Sequence, residues 1–196
     1  MNMNLPKGWN LAKVGDNKYT KLILGQSPES EYYNKEGTGL PFFQGKSDFG
    51  RINPTPTVWC SKPKKIAEAN DILLCVRAPV GPTNIAKEKC CIGRGLAAIR
   101  CLDRLDYRYL IWVLRKFENE IASEGQGSTF EAIGRDEIMK IEFPFPIDPK
   151  EQLRIANNLE NKMSGIEKLK DVARNQLKAI EALPAAILRE VFEFKS

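Results

Sequence analysis

Apolar positions along this 196-residue chain change their spacing once, near residue 148. Before that point they fall in short runs at residues 22–24, 40–43, 72–76, 96–102 and 138–143, each of strand length. Glycine and proline punctuate them densely, as in Leu5-Pro6-Lys7-Gly8-Trp9, Gly25-Gln26-Ser27-Pro28, Gly37-Thr38-Gly39 and Asn53-Pro54-Thr55-Pro56, so turns outnumber helices. The sum is an α+β fold with a small, irregular, mixed or antiparallel sheet. Leu110, Val113, Leu114, Phe117 and Ile121 recur at helical spacing and predict one helix packed on that sheet, with Asp106 as its cap and Gly125 as its terminator.

Pro144, Pro146 and Pro149 mark the change of texture. They hold the chain extended and deny it sheet donors, so the sheet is expected to stop there, and Asp148 stands as a cap just before a proline start to a long helix. From that point Leu159, Ile166, Ala173, Ile180 and Ile187 lie seven apart, joined by Ile155, Met163, Leu169, Leu177 and Leu183 at intervals of three or four. The pattern is a heptad-like seam over a helix of roughly 50 Å, longer than a small sheet needs for its own cover. The stripe therefore wants a partner, the alternative being a helix folded back on its own domain. Pro184 is expected to end or kink the helix at Leu183, leaving residues 185–194 as a second short helical piece. Gly165, in mid-seam, costs roughly 1 kcal/mol unless a neighbouring backbone approaches it closely.

Length and a 42% hydrophobic content allow one core plus an appendage. The formal charge is +5, with about four of the excess positive charges before residue 151, a mild lean toward a polyanionic partner. The absence of histidine removes the commonest general base and metal ligand. The five cysteines, Cys60, Cys75, Cys90, Cys91 and Cys101, form no Cys-x-x-Cys pair, and no signal peptide or membrane-length apolar run accompanies them. They read as buried or half-buried free thiols in a reducing cytoplasm rather than as a zinc site.

Candidate chemistry is sparse. Asn53-Pro54-Thr55-Pro56 lacks the aromatic of an amino-methyltransferase motif and reads as a proline turn. Gly93-Arg94-Gly95 and Gly125-Gln126-Gly127 lack the context of a phosphate or dinucleotide loop. Asp48, Asp71, Asp136, Glu137 and Lys140 sit near strands without a nuclease spacing. What remains suits reading rather than reacting: Gln26, Ser27, Gln44, Lys46, Arg77, Asn84, Arg94, Gln126, Ser128 and Thr129 lie in or beside turns between strands. Arg and Lys suit guanine edges, Asn and Gln suit adenine, and all can grip phosphates; at each position turn bonding or solvation is an equal reading.

The segments LPKGW from Leu5, GQSPESEYYN from Gly25, GLPFFQGKSDFG from Gly39, DILLCVRAPVGPTNIA from Asp71, CCIGRGLAAIR from Cys90, GQGSTFEAI from Gly125 and EFPFPIDPKEQLRIANNLE from Glu142 are collinear and together span nearly the whole chain. With them the sequence resembles the specificity subunit of type I restriction-modification systems. The resemblance implies a target recognition domain at residues 1–148 and a helical spacer at 149–196. That family carries two recognition domains and two long helices paired as an antiparallel coiled coil; this sequence has one of each, as a natural half-subunit or a shortened chain would.

A homodimer is accordingly expected, paired through Ile155, Leu159, Met163, Ile166, Leu169, Ala173, Leu177, Ile180 and Leu183. It would place two identical readers on double-stranded DNA, on an inverted-repeat target whose half-sites lie about one 34 Å turn or more apart. The resemblance also implies that the chain does no chemistry and binds no cofactor itself. Modification (methyltransferase) subunits would bring S-adenosylmethionine and the restriction subunit ATP and magnesium, docking on the helices and residues 185–194, without any membrane. A coiled-coil interaction scaffold without nucleic-acid binding, or a stand-alone nuclease or methyltransferase, are the rival classes.

Overall fold

The computed structural model describes residues 5–102, 104–124 and 132–192. It divides into two compact units, residues 1–156 and 157–196.

The first unit is built on a four-stranded antiparallel sheet in the order β2-β10-β7-β8, formed by Thr20–Leu24 (β2), Leu96–Cys101 (β10), Ile72–Cys75 (β7) and Thr83–Ile85 (β8). Its central strands have apolar residues on both sides because both faces are covered. Ile72, Leu74, Ala97 and Ile99 belong to one buried cluster, whereas Leu73, Cys75, Leu96 and Ala98 belong to a second. The second cluster is shared with a mixed five-stranded sheet, β3-β5-β4-β9-β6, made of Tyr33–Asn34 (β3), Trp59–Cys60 (β5), Leu40–Phe43 (β4), Cys90–Ile92 (β9) and Ile66–Ala67 (β6). Within it β4 and β9 run parallel.

The first cluster is closed by a helix and a two-stranded ribbon. Helix α1, Tyr107–Lys116, starts where the Asp106 carboxylate accepts from the Arg108 amide at 2.8 Å, the expected cap. It buries Tyr109, Leu110, Ile111, Val113 and Leu114. The helical pattern continues past Phe117 in a second piece, α2, Glu118–Glu124; Gly125, its expected terminator, lies outside the described residues.

The ribbon pairs Trp9–Lys13 (β1) with Glu142–Pro146 (β11). This corrects two expectations. The apolar run at 138–143 is split, because Arg135–Lys140 forms a short helix, α3, that buries Ile138, and the strand starts only at Glu142. Nor do the prolines end the sheet: Pro144 and Pro146 lie inside β11, opposite Leu11 and Trp9. Ile147 donates to Gly8 on the β1 side, and alternation turns the even-numbered positions away, so neither proline is asked for a ladder donor. Their carbonyls serve other elements. The Tyr109 hydroxyl donates to Pro144 O at 2.8 Å and the Gln152 amide to Pro146 O at 2.8 Å.

Helix α4, Pro149–Phe192, starts at Asp148, whose carboxylate accepts from the Lys150 amide at 2.9 Å. Its first two turns belong to the sheet unit, with Gln152 and Ala156 buried and Ile155 packed against the first cluster. Ile155 is therefore half-buried against the core of its own domain and not a free seam position.

The second unit is the rest of this helix, and Pro184 neither ends nor kinks it out of helical form: α4 is continuous to Phe192. Proline removes one donor and crowds the carbonyl four residues back, but its fixed φ is helical, and Ala182, Leu183, Ala185 and Ala186 around it are strong helix formers. Along this unit Met163, Ile166, Leu169, Leu177, Ile180, Leu183 and Ile187 are all exposed, Leu169 to 70%. Leu159 is half-buried and Ala173 exposed.

Candidate functional site

Strand register decides which loops meet. Leu24 at the end of β2 lies opposite Ala97 near the start of β10, and Cys75 at the end of β7 lies opposite Leu96. Because β4 and β9 are parallel, their C-terminal ends point the same way, and β9 leads directly into the turn that starts β10. The loops after β2, β4, β7 and β9 are thereby gathered at one edge of the domain. Backbone bonds tie them: Gly25 to Leu96 O (2.9 Å), Gln26 to Ile92 O (3.0 Å), Gly93 to Phe43 O (2.8 Å) and Val76 to Gly95 O (3.0 Å).

Two glycines make this approach possible. A Cβ on Gly25 would run into the carbonyls of Gly93 and Leu96, and one on Gly95 into the carbonyl of Gln44. Across the resulting junction the Arg94 amide donates to the Ser27 hydroxyl at 3.2 Å.

Of the residues singled out from sequence, Gln26, Ser27, Gln44, Lys46, Arg77 and Arg94 come together here. All are exposed except half-buried Ser27. Arg77 also pairs its backbone with Ala132, and Ile133 donates to Val76 O at 3.0 Å. The group carries three cations and two primary amides, a donor-rich set with the chemistry to meet phosphates and base edges.

Asn84 is a correction. It is 1% exposed on β8, and its amide donates to Gly50 O at 2.9 Å, so it braces a loop from within and presents nothing outward. Gln126, Ser128 and Thr129 lie outside the described residues.

The acidic residues near strands serve the scaffold. Asp71, 2% exposed, takes a two-pronged bond from Arg100 (2.9 and 2.8 Å) and a third from the Glu68 amide (2.8 Å); that carboxylate holds the Arg100 guanidinium above its ordinary pKa, against a smaller opposing effect of burial. Glu137 accepts from the Gly134 amide at 3.0 Å, and Asp48 from the amides of Gln44 and Gly45. Among the described residues no three Cys, Asp or Glu side chains converge as a metal ion requires. Burial pushes the thiols of Cys75, Cys90 and Cys91 up to about 12, so they stay protonated and inert. Asn53-Pro54-Thr55-Pro56 lines an open cavity of about 390 Å³, but the Asn53 side-chain amide donates to Ile85 O at 2.8 Å and so ties this segment to β8.

Sequence reasoning passed over Gln152. Its side chain is fully buried and makes three bonds, accepting from the Asp106 amide and donating to Arg104 O and Pro146 O, each at 2.8 Å. It locks the start of α4 to α1 and β11. The available signal was a polar residue on the apolar stripe, three and four positions ahead of Ile155 and Ala156.

Known proteins share this fold. Residues 6–179 match the family model described as type I restriction modification DNA specificity domain. The putative type I restriction enzyme MjaX specificity subunit of Methanocaldococcus jannaschii is 40% identical over 185 residues, covering 94% of this chain and 42% of that protein. The crystal structure of the HsdS subunit from Thermoanaerobacter tengcongensis superposes with a TM-score of 0.77 at 43% identity, over 87% of this chain and 41% of that one. A chain from a structure of the assembly and conformational transition of a type I restriction-modification system gives 0.88 at 42% identity, over 97% and 47%. The chain thus spans under half the length of these relatives. Among the described residues no helix is long and apolar enough to cross a membrane.

Proposed function

Because this chain belongs to the type I restriction modification DNA specificity domain family, we propose that it reads duplex DNA through the loop edge built from Gln26, Ser27, Gln44, Lys46, Arg77 and Arg94. The observation that supports the proposal is the gathering, at one end of the sheets, of the four loops that carry these residues. Cations grip phosphates and set the register, while Arg guanidinium and Gln amide groups hydrogen-bond to base edges in the major groove. No group of this chain performs bond chemistry on the DNA; methyl transfer and cleavage belong to modification and restriction subunits, which bring S-adenosylmethionine, ATP and magnesium.

The second part of the proposal concerns the helix. Residues 157–192 form about 54 Å of helix with exposed apolar side chains at heptad spacing. A second copy, paired antiparallel along Leu159, Met163, Ile166, Leu169, Ala173, Leu177, Ile180 and Leu183, would cover them. Two-fold symmetry then turns one short recognition sequence into an interrupted inverted repeat.

A mobility shift with random-sequence duplex between 50 and 200 mM salt tests the DNA-reading role. A phosphate-gripping reader loses affinity steeply, with a log-log slope of about −0.9 per contacted phosphate. A coiled-coil scaffold without nucleic-acid binding gives no shift at either salt.

A further inference from the structure

Asp48 stands beside the proposed reading edge without belonging to the six residues that form it. Its carboxylate is engaged with two adjacent amides, accepting from Gln44 N at 2.6 Å and Gly45 N at 3.2 Å. Its own amide donates to Gly45 O at 3.2 Å, and its carbonyl accepts from Thr55 N at 2.9 Å, so it is tied to the 48–55 turn behind it. An ionised acceptor shared by consecutive amides holds a loop more firmly than neutral bonds do. The residue it holds, Gln44, is exposed directly after β4, with its carbonyl seated against Gly95. Gly95 adjoins Arg94, whose amide is held by Ser27. Gln44 and Arg94 are thus fixed relative to one another.

Resting on the DNA-reading function above, we propose that Asp48 is a positioning residue for base recognition. It locks the Gln44–Gly45 backbone so that the Gln44 amide meets the hydrogen-bonding edge of one base pair in fixed register with Arg94. Base discrimination depends on paired bonds of narrow geometry, whereas phosphate contacts tolerate looseness, so loss of the clamp removes specificity before it removes affinity.

The test uses the full chain, a pool of duplexes with a randomised window, and sequencing of the bound fraction. Gln44→Ala flattens the preference at one base position. Asp48→Ala flattens the same position by about tenfold, the order of one bidentate contact. Asp48→Asn retains part of the preference because its amide oxygen still accepts. The double variant is no worse than Gln44→Ala alone, and the salt slope stays at the wild-type value throughout. An Asp48→Ala motif as sharp as wild type overturns the proposal, as does a loss that spreads over the whole motif and adds to that of Gln44→Ala. Amide hydrogen exchange at Gln44 and Gly45, measured without DNA, separates the clamp from its ligand. Unchanged protection in Asp48→Ala overturns the clamp; faster exchange in that variant, with no sequence enriched by wild type, overturns the DNA-reading function instead.

Discussion

Gln152 is one amide that satisfies three backbone groups from two parts of the first unit, Arg104 and Asp106 just before α1 and Pro146 at the end of β11. Gln152→Ala leaves those groups buried without partners, and each unsatisfied group costs about 1–3 kcal/mol, so urea denaturation should show a loss of several kcal/mol. The sum is less than additive, because water can reach part of the gap. Gly25 makes the opposite demand, for absence of a side chain. Gly25→Ala drives a Cβ into the Gly93 and Leu96 carbonyls, and the expected result is a cost on the order of 2 kcal/mol with loss of DNA binding as the loops separate.

The thiols give the pH dependence. Cys75, Cys90 and Cys91 are raised to about 12 by burial, while an unfolded thiol ionises near 8.5. A group raised in the folded state contributes stability that is intact below its unfolded pKa and is lost as pH rises toward the folded value. The melting temperature should hold through neutral pH and fall from about pH 9 upward. Substituting Cys90 by Ser would reduce that alkaline slope while adding its own packing cost.

At the level of elements, legibility followed how much of a signal was local. The runs at 40–43, 72–76 and 96–102 match β4, β7 and β10 because a strand buried on both faces is a continuous apolar stretch. Asp106 and Asp148 were readable as caps because capping is a bond between near neighbours. The two- and three-residue strands β3, β5, β6, β8 and β9 were not, since Tyr33 or Ile66 becomes a strand only through a partner far away in sequence. The prolines of β11 misled for a related reason: whether a missing donor matters depends on which edge faces β1. The loop cluster was half legible. Residue types marked Gln44 and Arg94, but β4–β9 parallel pairing brought them together, and burial of Asn84 on β8 removed it from the set.

Helix α4 supports a separate prediction. Among the described residues nothing outside its own stretch of helix lies within 4 Å of a Cβ added at Gly165, so Gly165→Ala should stabilise the helix by about 1 kcal/mol, read as a gain in helical circular dichroism on heating. If that gain is accompanied by weaker self-association, a partner backbone passes close to Gly165.

On the scale of the whole molecule the function is one of placement. In the proposed function the first unit is the reader, and the exposed apolar stripe of the second is where a second copy pairs with it. Leu177→Lys combined with Ile180→Lys puts two charges into that stripe. Sedimentation should then show a monomer, against the dimer proposed for the wild type, with the first unit still folded and the salt-dependent affinity for random duplex retained per reader. The most direct measurement is a methylation map of cells that contain the modification subunits, with and without this gene. Methylation is expected on both arms of an interrupted inverted repeat with identical half-sites, present only with the gene. A methylation pattern that is unchanged when the gene is removed would contradict the proposed function.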